Sequence, residues 1–162
     1  MIINGKEVKL LEGIDIVANT VKPTLGPQAK TVILQGNPPV VINDGVTITK
    51  YISNEDPYVQ MGIQLVQNLA SKAQEGSGDG TTTACILAQA LCHNMLNAPE
   101  MNVHKFNNLV EALKVLTVQY LHDEAQEVED GDIANIATIA ANNDSHLGSL
   151  IAEAIDKVGR DG

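Results

Sequence analysis

The sequence GSGDGTTT at residues 76–83 separates two apolar helical segments. Its three glycines allow a tight turn with uncovered backbone amides, and the helix that follows begins with three threonines. Unpaired amides and the helix dipole at such a helix start favour a bound anion such as a phosphate. The alternative is a plain glycine-rich turn in which Asp79 or Thr81 caps the next helix.

Asp79 indicates which kind of phosphate site this loop could form. The loop is not a Walker A motif, because no lysine occurs between Lys72 and Lys105. A carboxylate facing a phosphate is repulsive unless a divalent cation lies between them, so we expect Mg²⁺ at Asp79. The turns PTLGP at 23–27 and NDG at 43–45 could join this loop in a metal-assisted phosphoryl site, although each alone is also an ordinary turn.

Apolar periodicity predicts a mainly α-helical chain with one small β-hairpin. The hairpin is predicted from strands at Thr31–Leu34 and Val40–Ile42, with a Gly-Asn-Pro-Pro turn between them. The predicted helices run from Leu10 to Val21, Pro57 to about Glu75, Thr81 to about Asn97, Asn102 to about Asp123, Asp132 to Ala141 and Asp144 to Val158.

Three of these helices carry apolar stripes that predict buried faces. The stripe is clearest in the helix that starts near Asn102. The stripe residues are Met61, Leu65, Val66, Leu69, Ala70 and Ala73 in the first helix, Ala84, Leu87, Leu91 and Met95 in the second, and Phe106, Leu109, Val110, Leu113, Leu116 and Tyr120 in the third.

Composition excludes several classes of function. The chain has 162 residues and a net charge of −10, which argues against sequence-independent nucleic-acid binding and against anionic membranes. Cys85 and Cys92 lie about 10 Å apart along one predicted helix, too far for a disulfide, and we expect small core residues. The amino terminus lacks a signal-peptide pattern, so a reducing cytoplasm is expected.

Three loops occur in one order and spacing, namely Thr24-Leu-Gly-Pro27, Asn43-Asp-Gly45 and Gly78-Asp-Gly-Thr-Thr-Thr83. In this combination the chain resembles the chaperonin (Hsp60) family, and the third loop is the most specific signature. Similarity continues in Met61-Gly, Ala70-Ser-Lys-Ala73, Ile139-Ala-Ala-Asn142 and Leu150–Gly159, and it looks closer to the bacterial than to the archaeal and eukaryotic type. The resemblance implies a helical, equatorial-type ATP-binding domain in residues 1–124 and the start of an intermediate domain in 125–162.

The resemblance also implies the ligands of the site, which are ATP and Mg²⁺. The nucleotide and its phosphates would be lined by Thr24, Leu25, Gly26 and Pro27. Asp79 would hold Mg²⁺. Amides and hydroxyls for the phosphates would come from Gly80, Thr81, Thr82 and Thr83.

Two more roles follow from the same resemblance. Asp44 would be the catalytic carboxylate that helps to position the attacking water. A K⁺ ion often accompanies the site in the family, and its ligands here would be the carbonyls of Thr24 and Asn43 together with Thr82. Bacterial-type chaperonins usually have lysine where this chain has Asn43, so a backbone role remains at this position but a direct cation–phosphate contact does not.

The family also implies partners and a longer parent chain. The amino-terminal segment and the 31–42 hairpin would pair with neighbouring subunits in a ring, and unfolded clients and a co-chaperonin would be further partners. Family chains are several times longer. The apical domain, the returning equatorial half and a further catalytic aspartate have no counterpart in the 162 residues. We therefore expect an incomplete active site and no ATP turnover at a normal rate.

Three functional hypotheses follow. The first is the amino-terminal part of an ATP-dependent folding machine. The second is a non-enzymatic module that docks on chaperonin subunits or self-associates, and the third is a plain helical domain. Nucleotide binding that depends on Mg²⁺ and on Asp79 separates the first hypothesis from the other two.

Overall fold

The structure is a computed structural model that describes residues 5–26, 29–36, 38–97, 102–141 and 143–159, without the side chain of Asp130. Within these residues the chain is mainly α-helical with one antiparallel two-stranded hairpin, which confirms the predicted fold class. The helices are α1 (Gly5–Val21), α2 (Gly45–Lys50), α3 (Pro57–Ser77), α4 (Thr81–Asn97), α5 (Val103–Glu124), α6 (Asp130–Ala140) and α7 (Ser145–Val158). The strands are β1 (Val32–Leu34) and β2 (Val40–Ile42), and a 3-10 turn at Lys22–Thr24 follows α1.

The internal contacts divide the chain into two compact units, residues 1–107 and 108–162. The equatorial and intermediate assignment, with its boundary between residues 124 and 125, was inferred from the family and stays a prediction. No helix in the described part of the chain is both long enough and apolar enough to cross a membrane.

The core of the first unit forms where α1 packs against α3 and α4, with α2 against α3. Aliphatic side chains fill it, as expected for a chain with one Phe and no Trp. The buried cluster comprises Ile14, Val17, Val21, Ile48, Val59, Ile63, Val66, Ala70 and Cys85. Because α1 and α4 are both part of this cluster, the segments that leave α1 and enter α4 are held by the core.

Two glycines set the distance between α1 and α3. A Cβ atom placed on Gly62 would lie 2.0 Å from the Leu10 carbonyl oxygen. A Cβ atom on Gly13 would lie 2.1 Å from the Val59 carbonyl oxygen. The two helix backbones therefore touch at this crossing, and no larger residue fits at either position without separating them.

The sequence stripe of α3 is only partly the buried face. Val66 and Ala70 are buried as predicted, and Val59 and Ile63 are buried with them. The remaining large stripe residues of α3 and α4 are exposed on the described chain: Met61 (50%), Leu65 (52%), Leu69 (36%), Leu87 (58%), Leu91 (41%) and Met95 (37%). The physical reason is that α1 crosses α3 at Gly62, which places Val59, Ile63 and Val66 towards the core and turns the 61-65-69 row away from it.

The hairpin pairs β1 and β2 in antiparallel register, with Ile33 opposite Val41. These two side chains are 72% and 67% exposed, whereas Val32, Leu34 and Ile42 pack against the core. One face of the hairpin is therefore apolar and open to solvent.

In the second unit, α6 packs against α7. The contact is close at Gly148, where a Cβ atom would lie 2.1 Å from Thr138 Oγ1 and 2.7 Å from Thr138 Cα. Asp144 starts α7 by accepting a hydrogen bond from the Leu147 amide, and Gly159 ends it by donating its amide to the Ile155 carbonyl. The predicted helix and its glycine cap are thus confirmed.

Candidate functional site

The end of α1 and the start of α4 meet through two threonine hydroxyls. Thr24 Oγ1 donates to the Val21 carbonyl at 2.7 Å and lies 3.4 Å from Thr82 Oγ1. Because the Thr24 hydrogen is used on Val21, Thr82 is the donor in the contact between the two hydroxyls. The first and third predicted loops are therefore neighbours in the fold, although 58 residues separate these threonines.

The second loop reaches the same place through Gly45. A Cβ atom on Gly45 would lie 2.5 Å from Thr82 Oγ1 and 2.9 Å from Thr81 Oγ1. The backbone at the start of α2 therefore lies directly against the first turn of α4, and Gly45 is buried there. Glycine is the residue that allows this approach.

The amino end of α4 is built differently from those of α2, α3, α5 and α7. The Ala84 amide bonds to the Gly80 carbonyl at 2.9 Å, so the first residue to accept a helical hydrogen bond has no side chain with which to cap the helix. The amides of the first turn, in Thr81, Thr82 and Thr83, have no carbonyl of the helix as partner. The predicted alternative, in which Asp79 or Thr81 caps α4, is not what the structure has.

Other described helices begin with a side-chain cap. The caps are Asp44 on the Thr47 amide (α2), Asp56 on the Tyr58 amide (α3), Asn102 on the Lys105 amide (α5) and Asp144 on the Leu147 amide (α7). These four helices begin with an oxygen side chain on a first-turn amide, whereas within the described residues no such bond is present at the first turn of α4. Its amides and dipole favour negative charge.

Asp79 lies at the exposed tip of the loop before α4. Its Oδ1 accepts a hydrogen bond from the Gly80 amide at 2.6 Å, and the Ser77 hydroxyl lies 2.8 Å from the Asp79 carbonyl oxygen. Gly78 and Gly80 have φ values of 72° and 77°, which is the left-handed region that favours glycine. The loop therefore holds an accessible carboxylate beside the uncapped helix start.

Asp44 already has a structural role at the second loop. Its Oδ2 accepts the Thr47 amide at 2.8 Å and also the Thr47 hydroxyl. Both bonds use the same oxygen, so Oδ1 is the oxygen available to a further partner. In the described residues no hydrogen bond joins Asp44 to Asp79.

For the other predicted site residues, the structure gives exposure and backbone contacts only. Leu25 is 50% exposed, its amide bonds to the Lys22 carbonyl, and Gly26 follows it with φ 87°. Pro27 lies outside the described residues. Asn43 is exposed, Thr81 is buried, and Thr83 is exposed.

The one carboxylate at this loop, that of Asp79, suits a metal ion that is shared with a bound ligand rather than a metal ion held by the protein alone. Within the described residues no cluster of three or more His, Cys, Asp or Glu side chains could hold a metal ion. Asp79 offers one carboxylate, and Mg²⁺ characteristically takes one or two carboxylates with substrate phosphates and waters. The accessible carboxylate, the uncapped amides and the glycine approach therefore fit a nucleotide phosphate with Mg²⁺.

Sequence reasoning missed a polar cluster where α1 and α4 pack. Asp15 Oδ1 accepts Gln89 Nε2 at 2.6 Å and lies 2.7 Å from His93 Nε2. Burial and Asp15 raise the pKa of the neighbouring Cys92 thiol. The signal in the sequence is the polar pair Gln89 and His93 at i, i+4 on α4, but only the fold brings Asp15 to it.

Comparison with known proteins identifies the fold. The family model described as the TCP-1/cpn60 chaperonin family matches residues 17–161. The chain belongs to this chaperonin family. Two solved chaperonins are similar to it, each 26% identical over 96% of this chain. One is the chaperonin gp146 from bacteriophage EL 2 (Pseudomonas aeruginosa), crystallised in the presence of ATP-BeFx, with a TM-score of 0.80. The other is a group III chaperonin in the open state, with a TM-score of 0.70.

The chain covers 28% of gp146 and 32% of the group III chaperonin. It thus spans about a third or less of these chaperonins. The family match over residues 17–161 includes the three loops that carry the candidate site. The predicted resemblance to the chaperonin family is confirmed.

Proposed function

We propose that this chain is the amino-terminal, nucleotide-binding portion of an ATP-dependent chaperonin that assists protein folding. The observation that carries the proposal is the convergence of three loops on the uncapped start of α4. Thr24 and Gly45 both lie against Thr82, and a Cβ atom on Gly45 would lie 3.4 Å from the Thr82 amide nitrogen. A phosphate anion is the partner that such a helix start lacks.

The proposal assigns a role to each residue of the site. The amides of Thr81, Thr82 and Thr83 bind phosphate oxygens, and Asp79 holds the Mg²⁺ that offsets its own negative charge. When bound, Mg²⁺ supplies positive charge against the phosphates. Asp44 orients an attacking water through Oδ1, since Oδ2 is bonded to Thr47. The Thr24 and Asn43 carbonyls with Thr82 form the proposed K⁺ position.

Turnover is a separate matter from binding. The parent family couples ATP hydrolysis to folding of clients in a ring of subunits, and that activity is proposed for the full-length protein. The 162-residue chain offers one carboxylate for the metal and one for water at its three loops. We therefore expect it to bind Mg-ATP but not to release phosphate at a normal rate. Cytoplasmic location is part of the same proposal.

Equilibrium binding of a fluorescent ATP analogue tests the proposal. The purified chain should bind in excess Mg²⁺, and EDTA should weaken binding at least tenfold. Asp79→Ala should have a comparable effect, because it removes the proposed metal ligand. The matched control is Asp156→Ala, which removes an exposed carboxylate from α7 and should leave the dissociation constant unchanged. Equal affinity of wild type and Asp79→Ala would rule the assignment out.

A second candidate function is a non-catalytic module that docks on chaperonin subunits. The observation in its favour is the set of exposed apolar residues on α3 and α4, including Leu65 and Leu87 at 52% and 58%. Large apolar patches of this kind mark interaction surfaces. Absence of Mg²⁺-dependent nucleotide binding, together with binding to a chaperonin subunit, would favour this function over the first.

A further inference from the structure

Gln67 on α3 holds the carboxyl end of α2. Its Nε2 donates hydrogen bonds to the Thr49 carbonyl oxygen at 2.7 Å and to the Ile52 carbonyl oxygen at 3.0 Å. Both hydrogens of the side-chain amide are therefore used on carbonyls in and just after the last turn of α2, where carbonyl groups lack an amide partner further along the helix. Because the bonded residues lie 18 and 15 positions from Gln67 in the chain, these bonds fix α2 to α3.

Helix α2 depends on bonds from outside because it has only six residues. A helix of this length is not stable by itself in water. Val46 and Ile48 are buried, but apolar burial is non-directional and specifies neither the axial position of the helix nor its rotation closely. The directed bonds at its two ends, from the cap Asp44 and from Gln67, fix both.

The amino end of α2 belongs to the candidate site. A Cβ atom on Gly45 would lie 2.5 Å from Thr82 Oγ1, so α2 cannot move further towards α4, and a movement away would open a gap at Thr82. Thr49 and Gly45 are about one helical turn apart, or roughly 6 Å along the axis. A displacement of α2 at Thr49 therefore reaches Gly45 and the cap Asp44 beside it.

Two other glutamines on α3 provide a comparison with Gln67. Gln60 accepts the Asn54 amide through Oε1 at 2.8 Å, in the segment between α2 and α3. Gln64 is exposed. The same substitution can therefore be made at three positions of one helix, and of the three side chains Gln67 is the one with described hydrogen bonds to the carboxyl end of α2.

We propose that Gln67 is a positioning residue for the nucleotide site. By fixing the carboxyl end of α2, it sets where Asp44 and Gly45 lie relative to Thr82. Gln67 acts through the helix rather than on a ligand. Its effect on nucleotide binding rests on the proposed function, whereas its effect on α2 does not, and the two effects can be measured separately.

NMR spectroscopy of the nucleotide-free chain tests the effect on α2. Gln67→Met keeps the length of the side chain and removes both donors. The Thr47 and Ile48 amides, which are bonded at the start of α2, should then exchange with solvent about tenfold faster or more, because two hydrogen bonds that hold the helix are lost. The amide resonances of Gly45 and Thr82 should also shift, which a lower overall stability would not produce.

Equilibrium binding of a fluorescent ATP analogue in excess Mg²⁺ tests the effect on the site. Gln67→Met should raise the dissociation constant about fivefold or more. Gln60→Met and Gln64→Met are the matched controls, and both should leave the dissociation constant and the Thr47 exchange rate within about twofold of wild type. Circular dichroism at the assay temperature checks that all three variants keep their helical content.

Unchanged exchange of the Thr47 and Ile48 amides in Gln67→Met would overturn the proposal, because Gln67 would then not fix α2. Faster exchange with an unchanged dissociation constant would also overturn it, because the position of α2 would then not matter to the site. So would an equal loss of affinity in Gln60→Met, because the connecting segment would then position the loop. A wild-type chain that binds no nucleotide would overturn the proposed function and with it the role of Gln67 at this site, whereas faster exchange would still show that Gln67 fixes α2.

Discussion

Replacement of Gly62 by alanine tests how α1 and α3 are packed. The added Cβ would lie 2.0 Å from the Leu10 carbonyl oxygen, whereas real Cβ atoms essentially never come within 3.0 Å of another heavy atom. The obstacle is backbone on both sides, so no side chain can rotate out of the way. The two helices must therefore part by about 1 Å at their crossing.

The cost follows from what the separation does to the core. Parting the helices loosens contacts among buried residues such as Ile14 and Ile63, and a gap of 0.5–1 Å forfeits roughly a quarter to a half of a contact's dispersion energy. Overpacking of this kind costs about 3 kcal/mol. Alanine returns about 1 kcal/mol through its higher helix propensity. We expect a net loss of about 2 kcal/mol, which for a chain of this length is a fall in melting temperature of about 4–8 °C.

Gly76→Ala is the matched control on the same helix. Gly76 has nothing within 4 Å of its Cβ position, so only the propensity gain remains and the melting temperature should rise by a few degrees. Thermal unfolding followed by circular dichroism measures both variants. A Gly62→Ala chain that melts at or above the wild-type temperature would refute the close crossing.

Two further predictions concern titratable groups. The hydrogen bond from Lys9, together with those from the Tyr58 and Val59 amides, holds the pKa of Asp56 below its ordinary value. The ionised Asp56 side chain therefore stabilises the fold above about pH 4. This stabilisation is lost as pH falls through the lowered pKa. Asp56→Asn should therefore have a lower melting temperature than wild type at pH 7, and the difference should shrink as pH falls below about 4; a difference independent of pH would contradict the ion pair with Lys9. Burial raises the pKa of Cys85 to about 11, which leaves about one thousandth of it as thiolate at pH 8. In a Cys92→Ser variant, iodoacetamide at pH 8 should label Cys85 only after denaturation, and labelling of the folded protein at the rate of a free thiol would show that Cys85 is accessible.

Helix positions were predictable from the sequence where a turn signal flanks a periodic segment. Thr81 and Asn97 bound α4 as predicted, because Gly80 precedes the first residue and the apolar period runs to the last. Pro57 likewise marks the first residue of α3. In contrast, α2 was not predictable from periodicity, since Gly45–Lys50 is too short to display a period and depends on its Asp44 cap.

Which face of a helix is buried was not predictable from periodicity alone. The α3 sequence contains two adjacent apolar rows, one with Met61 and Leu65 and one with Val59 and Ile63, and only the crossing with α1 at Gly62 decides between them. Which row is buried depends on contacts between residues that are distant in the chain.

The candidate site, too, was predictable only where it depends on local sequence. The Gly78–Thr83 loop could be recognised as an anion site from its glycines and threonines. That Thr24 lies 3.4 Å from Thr82, and that Gly45 touches the same turn, depends on the packing of α1, α2 and α4. Roles for Asp44, Asp79 and the nucleotide stay predictions.

The glycine at the start of α4 also bears on how the chain responds to its surroundings. Where Asp44, Asp56, Asn102 and Asp144 begin helices, the protein completes the first turn with its own oxygen atoms. At Gly80 the residue before α4 has no side chain that could do this, and under the proposed function a phosphate anion takes that place. Any ligand that binds only the folded chain adds RT ln(1 + [L]/Kd) to its stability. Under the proposed function, the melting temperature of this chain rises with the concentration of the anion that binds at α4.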